Sequence, residues 1–153
     1  MKTITRLTLC AFATTLVSCL SMQTPDKFLI TREGWSELKA LTPDDAKLWV
    51  REFKDDKRGD LDFWSEALRE EFETHRGYVI LEDPADIVDG AQRPGKQFLM
   101  EVTTDGITWR YLLNVFVIEG WRHHTIRVAE YVAHKDDFDE YLASVKDAIR
   151  TLE

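Results

Sequence analysis

The clearest pattern along the chain is an alternation of apolar and polar residues between Lys96 and Tyr131. A period of two is typical of strands that bury one face. Asp105-Gly106 interrupts the alternation and matches a two-residue hairpin turn. Pairing outward from this turn sets Val102 opposite Trp109, Met100 opposite Tyr111 and Phe98 opposite Leu113. All six residues then share one face of the sheet, as a consistent register requires.

A second turn at Glu119-Gly120 predicts a third antiparallel strand, which completes a meander. Its expected pairs are Ile126 with Leu113, Val128 with Tyr111 and Glu130 with Trp109. The other face of the meander carries Leu112, Phe116 and Ile118. We therefore expect both faces of the sheet to be at least partly covered.

The residues before the meander predict shorter strands. Lys27–Thr31 is a first strand that ends at Gly34, and Trp35–Leu38 could continue it. Residues 42–45 are ambiguous, since a Thr followed by Pro fits either a helix start or a turn. We favour a turn followed by a strand over Ala46–Phe53, because its aromatic and β-branched residues suit a sheet.

Two helices are predicted by apolar residues at helical spacing. The first covers Asp60–Arg76, with Asp60 or Asp62 as its cap and Gly77 as its end. A short strand, Tyr78–Leu81, follows it. The second helix covers Asp137–Leu152. The apolar stripe of the first helix is Leu61, Trp64, Leu68 and Phe72, and that of the second is Phe138, Tyr141, Leu142, Val145, Ala148, Ile149 and Leu152.

Together the elements predict an α+β fold, with an antiparallel sheet of about five to seven strands flanked by helices. The three-strand meander comes from the C-terminal part of the chain, before the second helix. The segment between Asp83-Pro84 and Asp89-Gly90 is expected to be a loop, because turn residues bound it on both sides.

Residues 1–18 have the zones of a secretory signal peptide. Lys2 and Arg6 give a positive start, and residues 7–17 are uncharged and mostly apolar. The run ends in Leu16-Val17-Ser18-Cys19, which resembles the lipobox of bacterial lipoproteins. In that family the cysteine thiol receives a diacylglycerol and the peptide is cut just before it. The resemblance thus implies Cys19 as a lipidation site and a membrane as a partner.

Three other interpretations of this segment are a cleaved signal peptide with Cys19 incidental, an uncut signal anchor, and a helix of a cytosolic domain. A spanning helix needs about 20 apolar residues, and this run is shorter. A cytosolic helix should be amphipathic, and the run lacks a charged face. The chain's other cysteine, Cys10, would leave with the signal peptide, so a lipidated Cys19 leaves no free thiol.

The residue after Cys19 is Leu20. In enterobacteria an aspartate at this position resembles a signal for retention in the inner membrane. Its absence here favours the outer membrane. The expected location is therefore the cell envelope, at the outer membrane and facing the periplasm.

Cleavage would leave residues 19–25 as a lipidated tether and residues 26–153 as a single domain. Loss of Lys2 and Arg6 changes the net charge from −8 to about −10. Such an acidic domain argues against nucleic acid as a partner and against electrostatic adhesion to anionic lipid.

The order of elements is similar to that of the PsbP-like family, which includes DcrB-like envelope proteins. The residues that carry the resemblance are Gly34-Trp35, Gly95-Lys96-Gln97-Phe98, Tyr111-Leu112 with Phe116-Val117, and the helix over Phe138–Leu152. The resemblance implies an α-β-α sandwich that acts in binding or assembly. It implies no catalytic residue.

The sequence offers no catalytic or metal motif: it contains no Gly-x-Ser-x-Gly, phosphate-binding glycine loop or Cys-x-x-Cys. His123 and His124 are adjacent, so on a strand they would point to opposite faces and not chelate one metal. Glu130, on the apolar face of the meander, is either a functional buried carboxylate or a sign that the register has frayed. We expect no cofactor and no bound metal.

Trp121, Arg122 and His123 follow the second turn and form an aromatic and basic cluster. Because Trp and Arg recur at interface hot spots, this cluster is a candidate partner-binding site. Its alternative is ordinary packing under a helix. The sequence favours a non-enzymatic envelope lipoprotein that binds or helps assemble a protein partner. The alternatives are a carrier of a small apolar ligand or lipid between sheet and helix, and a hydrolase with an unrecognised site.

Overall fold

The computed structural model describes residues 20–153. The strands are β1 Leu29–Glu33, β2 Glu37–Leu41, β3 Lys47–Asp55, β4 Val79–Ile80, β5 Ala85–Val88, β6 Pro94–Thr104, β7 Ile107–Ile118 and β8 His124–His134. The helices are α1 Leu61–Glu70, which continues as a π-helical turn over Glu71–His75, and α2 Phe138–Ile149.

The eight strands form one antiparallel sheet, in the order β1-β2-β3-β8-β7-β6-β4, with β5 also paired to β6. The α+β class is confirmed, and the ambiguous residues 42–45 are a turn before β3. The prediction of a loop between Asp83 and Gly90 was wrong. Strands β4 and β5 lie one after the other along the free edge of β6, and this pairing provides hydrogen bonds that the local sequence does not reveal.

The hairpin between β6 and β7 has the predicted register, with Val102 opposite Trp109, Met100 opposite Tyr111 and Phe98 opposite Leu113. Asp105 (φ 53°) and Gly106 (φ 76°) both have the positive φ that a type I′ turn requires.

The predicted register of β8 was wrong by four residues, since Ile126 faces Val117 and Val128 faces Val115. Glu130 faces Leu113 in place of Trp109. The cause is the longer connection over residues 119–123, where a two-residue turn was expected. A shift by an even number keeps each side chain on its predicted face, so the apolar face was still identified correctly.

One helix covers each face of the sheet, which gives an α-β-α sandwich. On the α1 face the core is Phe72, Phe98, Met100, Leu113, Val115, Ile126 and Val128, with Leu61, Trp64 and Leu68 packed against it. On the α2 face the core includes Leu48, Val50, Leu112, Phe116, Tyr131, Phe138, Tyr141, Val145, Ile149 and Leu152. Both apolar stripes predicted for the helices therefore pack against the sheet. Asp60 caps α1 by accepting a hydrogen bond from Phe63 N.

The register defines two ends of the sheet. At one end Asp55 faces His124, Thr125 faces Ile118, and Phe116 faces Gly95. The connections over residues 56–60 and 119–123 project from this end, which we call the Trp121 end. Helix α2 starts at the opposite end and runs back, so the C-terminus also reaches the Trp121 end. There Gly90 N donates to Leu152 O at 2.9 Å.

The segment predicted as a tether lies against the domain from Leu20 onwards. The Leu20 side chain is only 3% exposed and belongs to the α2-face core. Ser21 and Glu153 exchange backbone hydrogen bonds of 3.4 and 3.1 Å, and Gln23 N donates to Thr151 Oγ1. The chain is thus fixed to the domain one residue after Cys19.

A network of buried charged side chains lies on the α2 face, close to the C-terminus. Arg127 is 3% exposed and pairs with Glu52 at 2.6 Å. Asp89 is fully buried, pairs with Arg93 at 2.6 Å, and lies 3.6 Å from Arg127 Nη1. Asp89 also accepts hydrogen bonds from the backbone of Ala91 and Arg93. The network fastens the β5–β6 turn to the middle of the sheet.

Candidate functional site

The predicted partner-binding residues lie on the β7–β8 connection and are presented to solvent. Trp121 is 80% exposed, and the Arg122 guanidinium carbon lies 4.3 Å from its ring centroid. This exposure argues against packing of Trp121 under a helix. His123 is half-buried, whereas His124 is buried and its Nδ1 lies 3.0 Å from Gly59 O. Cys19, the predicted lipidation site, lies outside the residues that the structure describes.

The neighbouring connection from β3 to α1 is held in shape by Asp55. Its carboxylate accepts hydrogen bonds from Lys57 N, Gly59 N and Trp64 Nε1, at 2.9, 2.7 and 2.9 Å. Burial by itself would raise the pKa of Asp55, but these hydrogen bonds outweigh burial and lower the pKa below its ordinary value. The connection is therefore most stable with Asp55 ionised.

We expect Asp55→Asn to lower the melting temperature at pH 7, because an amide cannot replace all the hydrogen bonds that the carboxylate accepts. A carboxyl with a lowered folded pKa contributes stability above its unfolded pKa, near about 4, and loses that contribution as the pH falls through the folded pKa. The gap between wild type and variant should accordingly shrink in acid. Thermal unfolding between pH 7 and pH 3 measures it, and a gap that is independent of pH would contradict the assigned role.

A concave surface rich in aromatic side chains lies on an open part of the α1 face. Helix α1 packs against β6, β7 and the Trp121-end halves of β3 and β8, where Trp64 contacts Phe53. It therefore leaves β2 and the other halves of β3, β7 and β8 uncovered on this side. Two adjoining cavities of about 330 and 360 Å³ lie there and share Lys47, Tyr111 and Val132. We call this surface the groove. Its remaining lining includes Lys39, Trp49, Arg76, Tyr78, Val102, Trp109 and Glu130.

Trp49 is held rigidly in the groove by charged neighbours. Lys39 Nζ lies 4.3 Å and the Arg51 guanidinium carbon 4.4 Å from the centroid of its ring, which are cation–π distances. Trp49 Nε1 donates to Glu37 Oε1 at 2.9 Å. A hydrogen bond with Lys39 lowers the pKa of Glu37, so the acceptor is a carboxylate.

The half-buried carboxylate of Glu130 lies in the groove and pairs with Arg51 at 2.5 Å. Sequence reasoning placed Glu130 on this face but could not supply its partner, which is 79 residues away in the chain. Glu130 is therefore one partner of an ion pair in the wall of the groove. The suspicion that the strand register frays near Glu130 is not supported, because β3–β8 pairing continues through it to Val132.

Aromatic side chains form the far side of the groove. Tyr78 and Tyr111 pack edge-to-face with centroids 4.9 Å apart, and Trp109 lies 4.1 Å from the His134 ring. Burial raises the pKa of Tyr78, and a hydrogen bond with the Tyr111 hydroxyl raises it further. Its phenol therefore stays protonated and is a hydrogen-bond donor or acceptor at neutral pH.

The sequence contained a signal for the groove that was read only as sheet pairing. Trp109, Tyr111 and Met100 were assigned to one face, and Trp49 to a strand. What was missing is the position of α1, which decides how much of that face remains open. Over residues 20–153 no group of three or more His, Cys, Asp or Glu side chains is arranged to hold a metal ion. No helix in that range is long and apolar enough to cross a membrane.

No protein-family model matches the chain, and a search of curated proteins finds no match. Among solved structures the fold is similar to that of LpqN from Mycobacterium tuberculosis, with a TM-score of 0.67 and 15% identity, over 87% of this chain and 82% of that one. LpqN is described as involved in cell envelope biogenesis.

Two further solved structures share the fold. A protein from Bacteroides thetaiotaomicron has a TM-score of 0.54 and 15% identity, over 90% of this chain and 46% of that one. PA94 of Pseudomonas aeruginosa, a protein of unknown function, has a TM-score of 0.53 and 12% identity, over 89% of this chain and 97% of that one. Identities this low establish a common fold and nothing finer.

Proposed function

We propose that this chain is a non-enzymatic lipoprotein of the bacterial cell envelope that binds a segment of a protein partner in the groove. A signal peptide over residues 1–18 and a diacylglycerol on Cys19 would attach it to the outer membrane, with the domain facing the periplasm. The lipobox-like Leu16-Val17-Ser18-Cys19 supports this attachment, as does the fold shared with LpqN, a protein of envelope biogenesis. A PsbP-like or DcrB-like relationship is part of the same proposal.

The observation that carries the binding function is the open groove itself. A sheet face normally packs against another layer, yet here Trp49, Trp109 and Tyr111 line a surface that α1 leaves uncovered. Trp and Tyr are frequent hot-spot residues because they offer large apolar contacts together with a polar atom. The groove is therefore suited to an apolar anchor side chain of a partner.

The charges around the groove indicate what else the partner segment carries. Lys39, Lys47 and Arg76 border it in a chain whose net charge is −8. Lys39 lies 3.2 Å from Glu37 and Arg76 2.9 Å from Glu71, whereas Lys47 has no carboxylate within ion-pair distance among residues 20–153. A carboxylate next to the apolar anchor would complement Lys47.

The polar groups of the groove are engaged in ways that suit recognition better than catalysis. Arg51 and Glu130 neutralise each other, Glu37 holds the Trp49 indole, and Tyr78 stays protonated. A nucleophile or general base needs an available lone pair and a pKa close to the working pH. The carboxylates of Glu37 and Glu130 instead accept hydrogen bonds from neighbouring side chains. This supports the non-enzymatic proposal.

Site-specific photocrosslinking in cells tests the groove. A photoreactive amino acid at Val132 should give a discrete crosslinked protein, whereas the same group at Ala143, which is exposed on α2, should not. A product of only lipid or small-molecule mass would favour the carrier function instead. Equal crosslinking from both positions would contradict a binding site in the groove.

Lys47→Glu should reduce the yield of that crosslink about tenfold, because a repelled charge at the rim costs about 1.4 kcal/mol. Lys146→Glu on α2 makes the same change of charge away from the groove and is the matched control. Both variants should unfold at the same urea concentration as wild type. Equal loss of the crosslink in the two variants would point to a general charge effect and against the assigned site.

A further inference from the structure

We propose that the Trp121 end of the domain lies directly on the membrane surface, with Trp35 and Trp121 at the boundary between headgroups and acyl chains. This inference rests on the proposed lipid at Cys19. It adds to that proposal an orientation and a second, non-covalent contact with lipid.

The proposed lipid on Cys19 would be joined to the domain without a free linker. Leu20 is buried in the α2-face core, and Ser21 is hydrogen-bonded to Glu153. Consecutive Cα atoms are about 3.8 Å apart, so an acyl group on Cys19 begins within one residue of a fixed point on the domain. A free tether would let the domain tumble, but a fixed exit point restricts which surface can meet the bilayer.

The hydrogen bonds of the C-terminus show where this exit point lies in the fold. Leu152 binds Gly90 through its carbonyl, and Gly90 belongs to the turn that precedes β6. The start of β6 faces the end of β7, which leads into the connection that carries Trp121. Leu20 therefore leaves the domain at the Trp121 end. The β1–β2 turn points the same way, since Ser36 O accepts a hydrogen bond from Glu52 N near the end of β3.

The loops at this end carry exposed aromatic and basic side chains. Trp35 is 69% exposed and Trp121 is 80% exposed, which is unusual for the largest apolar side chain. Exposed basic residues stand beside them, namely Lys54, Lys57, Arg58 and Arg122. Trp is enriched where a protein meets the membrane–water boundary, and Lys and Arg near an anionic bilayer each contribute about 1 kcal/mol of attraction.

Charge is distributed unevenly between the two ends of the domain. Exposed acidic residues crowd the opposite end: Asp26, Asp44, Asp45, Asp105, Asp136, Asp139 and Glu140. At the Trp121 end the exposed acidic residues are offset by the basic residues there, whereas at the opposite end three lysines offset fewer than half of the acidic residues. The acidic residues of the Trp121 end are Glu33, Asp56, Asp60, Glu119 and Glu153, and the lysines of the opposite end are Lys27, Lys47 and Lys135. An anionic surface would repel the acidic end and tolerate the Trp121 end. The net charge of the whole chain conceals this polarity.

Spin labels on the mature, lipidated protein in vesicles of phosphatidylethanolamine and phosphatidylglycerol test the orientation. Single cysteines replace Ser36, beside Trp35, and Glu119, beside Trp121, and Asp105→Cys at the opposite end is the control. Labels at 36 and 119 should collide several-fold less often with an aqueous nickel chelate than the label at 105. Adding Trp35→Ala and Trp121→Ala should restore their exposure to the chelate.

The mass of the N-terminal peptide, measured on the same vesicles, separates the two levels of the proposal. A lipidated Cys19 with all three labels equally exposed to water would overturn the orientation and leave the anchor intact. An unmodified Cys19 would overturn the anchor and the orientation together. If the labels at 36 and 119 stay shielded after both Trp→Ala replacements, the lipid anchor on Cys19 alone produces the contact. That result would overturn the role of the tryptophans.

Discussion

Replacing Arg127 with methionine is expected to destabilise the domain by about 3–5 kcal/mol, the typical cost of leaving a buried charge without its partner. Arg127 is almost completely buried, and its guanidinium lies between Glu52 and the fully buried Asp89. Methionine fills a similar volume but supplies no positive charge or donors. Glu52 would then lose its ion-pair partner, and Asp89 would lose one of its two neighbouring cations and keep only Arg93, in a largely buried region.

The matched control is Arg150→Met, which removes an exposed cation that pairs with Asp147 at 2.8 Å. An exposed pair contributes about 0–1 kcal/mol, so this variant should unfold close to wild type. Combining Arg127→Met with Glu52→Gln should recover part of the loss, because one of the stranded charges is gone. Urea unfolding of the variants provides the comparison. Equal stability of the Arg127 and Arg150 variants would show that the buried network contributes no more than a surface pair.

Replacing Leu20 with aspartate should lower the free energy of unfolding by about 2–4 kcal/mol. This is the contribution expected from burying Leu20 and its neighbour Met22 against the α2-face core. A carboxylate cannot enter that apolar site without a partner, so residues 20–23 should detach from the domain. The loss is limited to what this segment contributes, since the sheet and α2 can remain folded.

Ser21→Asp introduces the same charge one residue later, at an exposed side chain, and should leave stability nearly unchanged. Hydrogen exchange at Gln23 and Glu153 would report detachment directly, because both amides are hydrogen-bonded in this segment. If Leu20→Asp and Ser21→Asp exchange at the same rates, Leu20 does not hold the segment in place.

Periodicity predicted the parts of the fold that depend on local pattern. The β6–β7 register followed from a two-residue turn and the alternation on either side of it. The stripe on α2 and the capping of α1 by Asp60 are likewise local. The strand β5 was missed because its hydrogen bonds come from the free edge of β6, and no residue within Ala85–Val88 announces that edge. The β8 register failed because the length of a turn cannot be read from a single Gly.

The proposed binding surfaces depend on contacts distant in sequence, which explains why they were harder to predict. Trp121 was identified as a candidate from its type and its place beside a turn. The groove was not, since it exists only because α1 leaves β2 and the half of β3 around Trp49 uncovered. Leu20 was assigned to a tether because a short polar segment after a signal peptide suggests one. It is buried in the same apolar cluster as Leu152, which lies at the other end of the chain.

The measurement that tests the account most directly is the mass of the N-terminal peptide of the protein extracted from membranes. We predict a peptide that begins at Cys19 and carries a thioether-linked diacylglycerol, with processing that globomycin blocks. Such a peptide would fix the attachment point next to the buried Leu20. A peptide that begins elsewhere, or an unmodified Cys19, would contradict the lipoprotein assignment and the membrane orientation built on it.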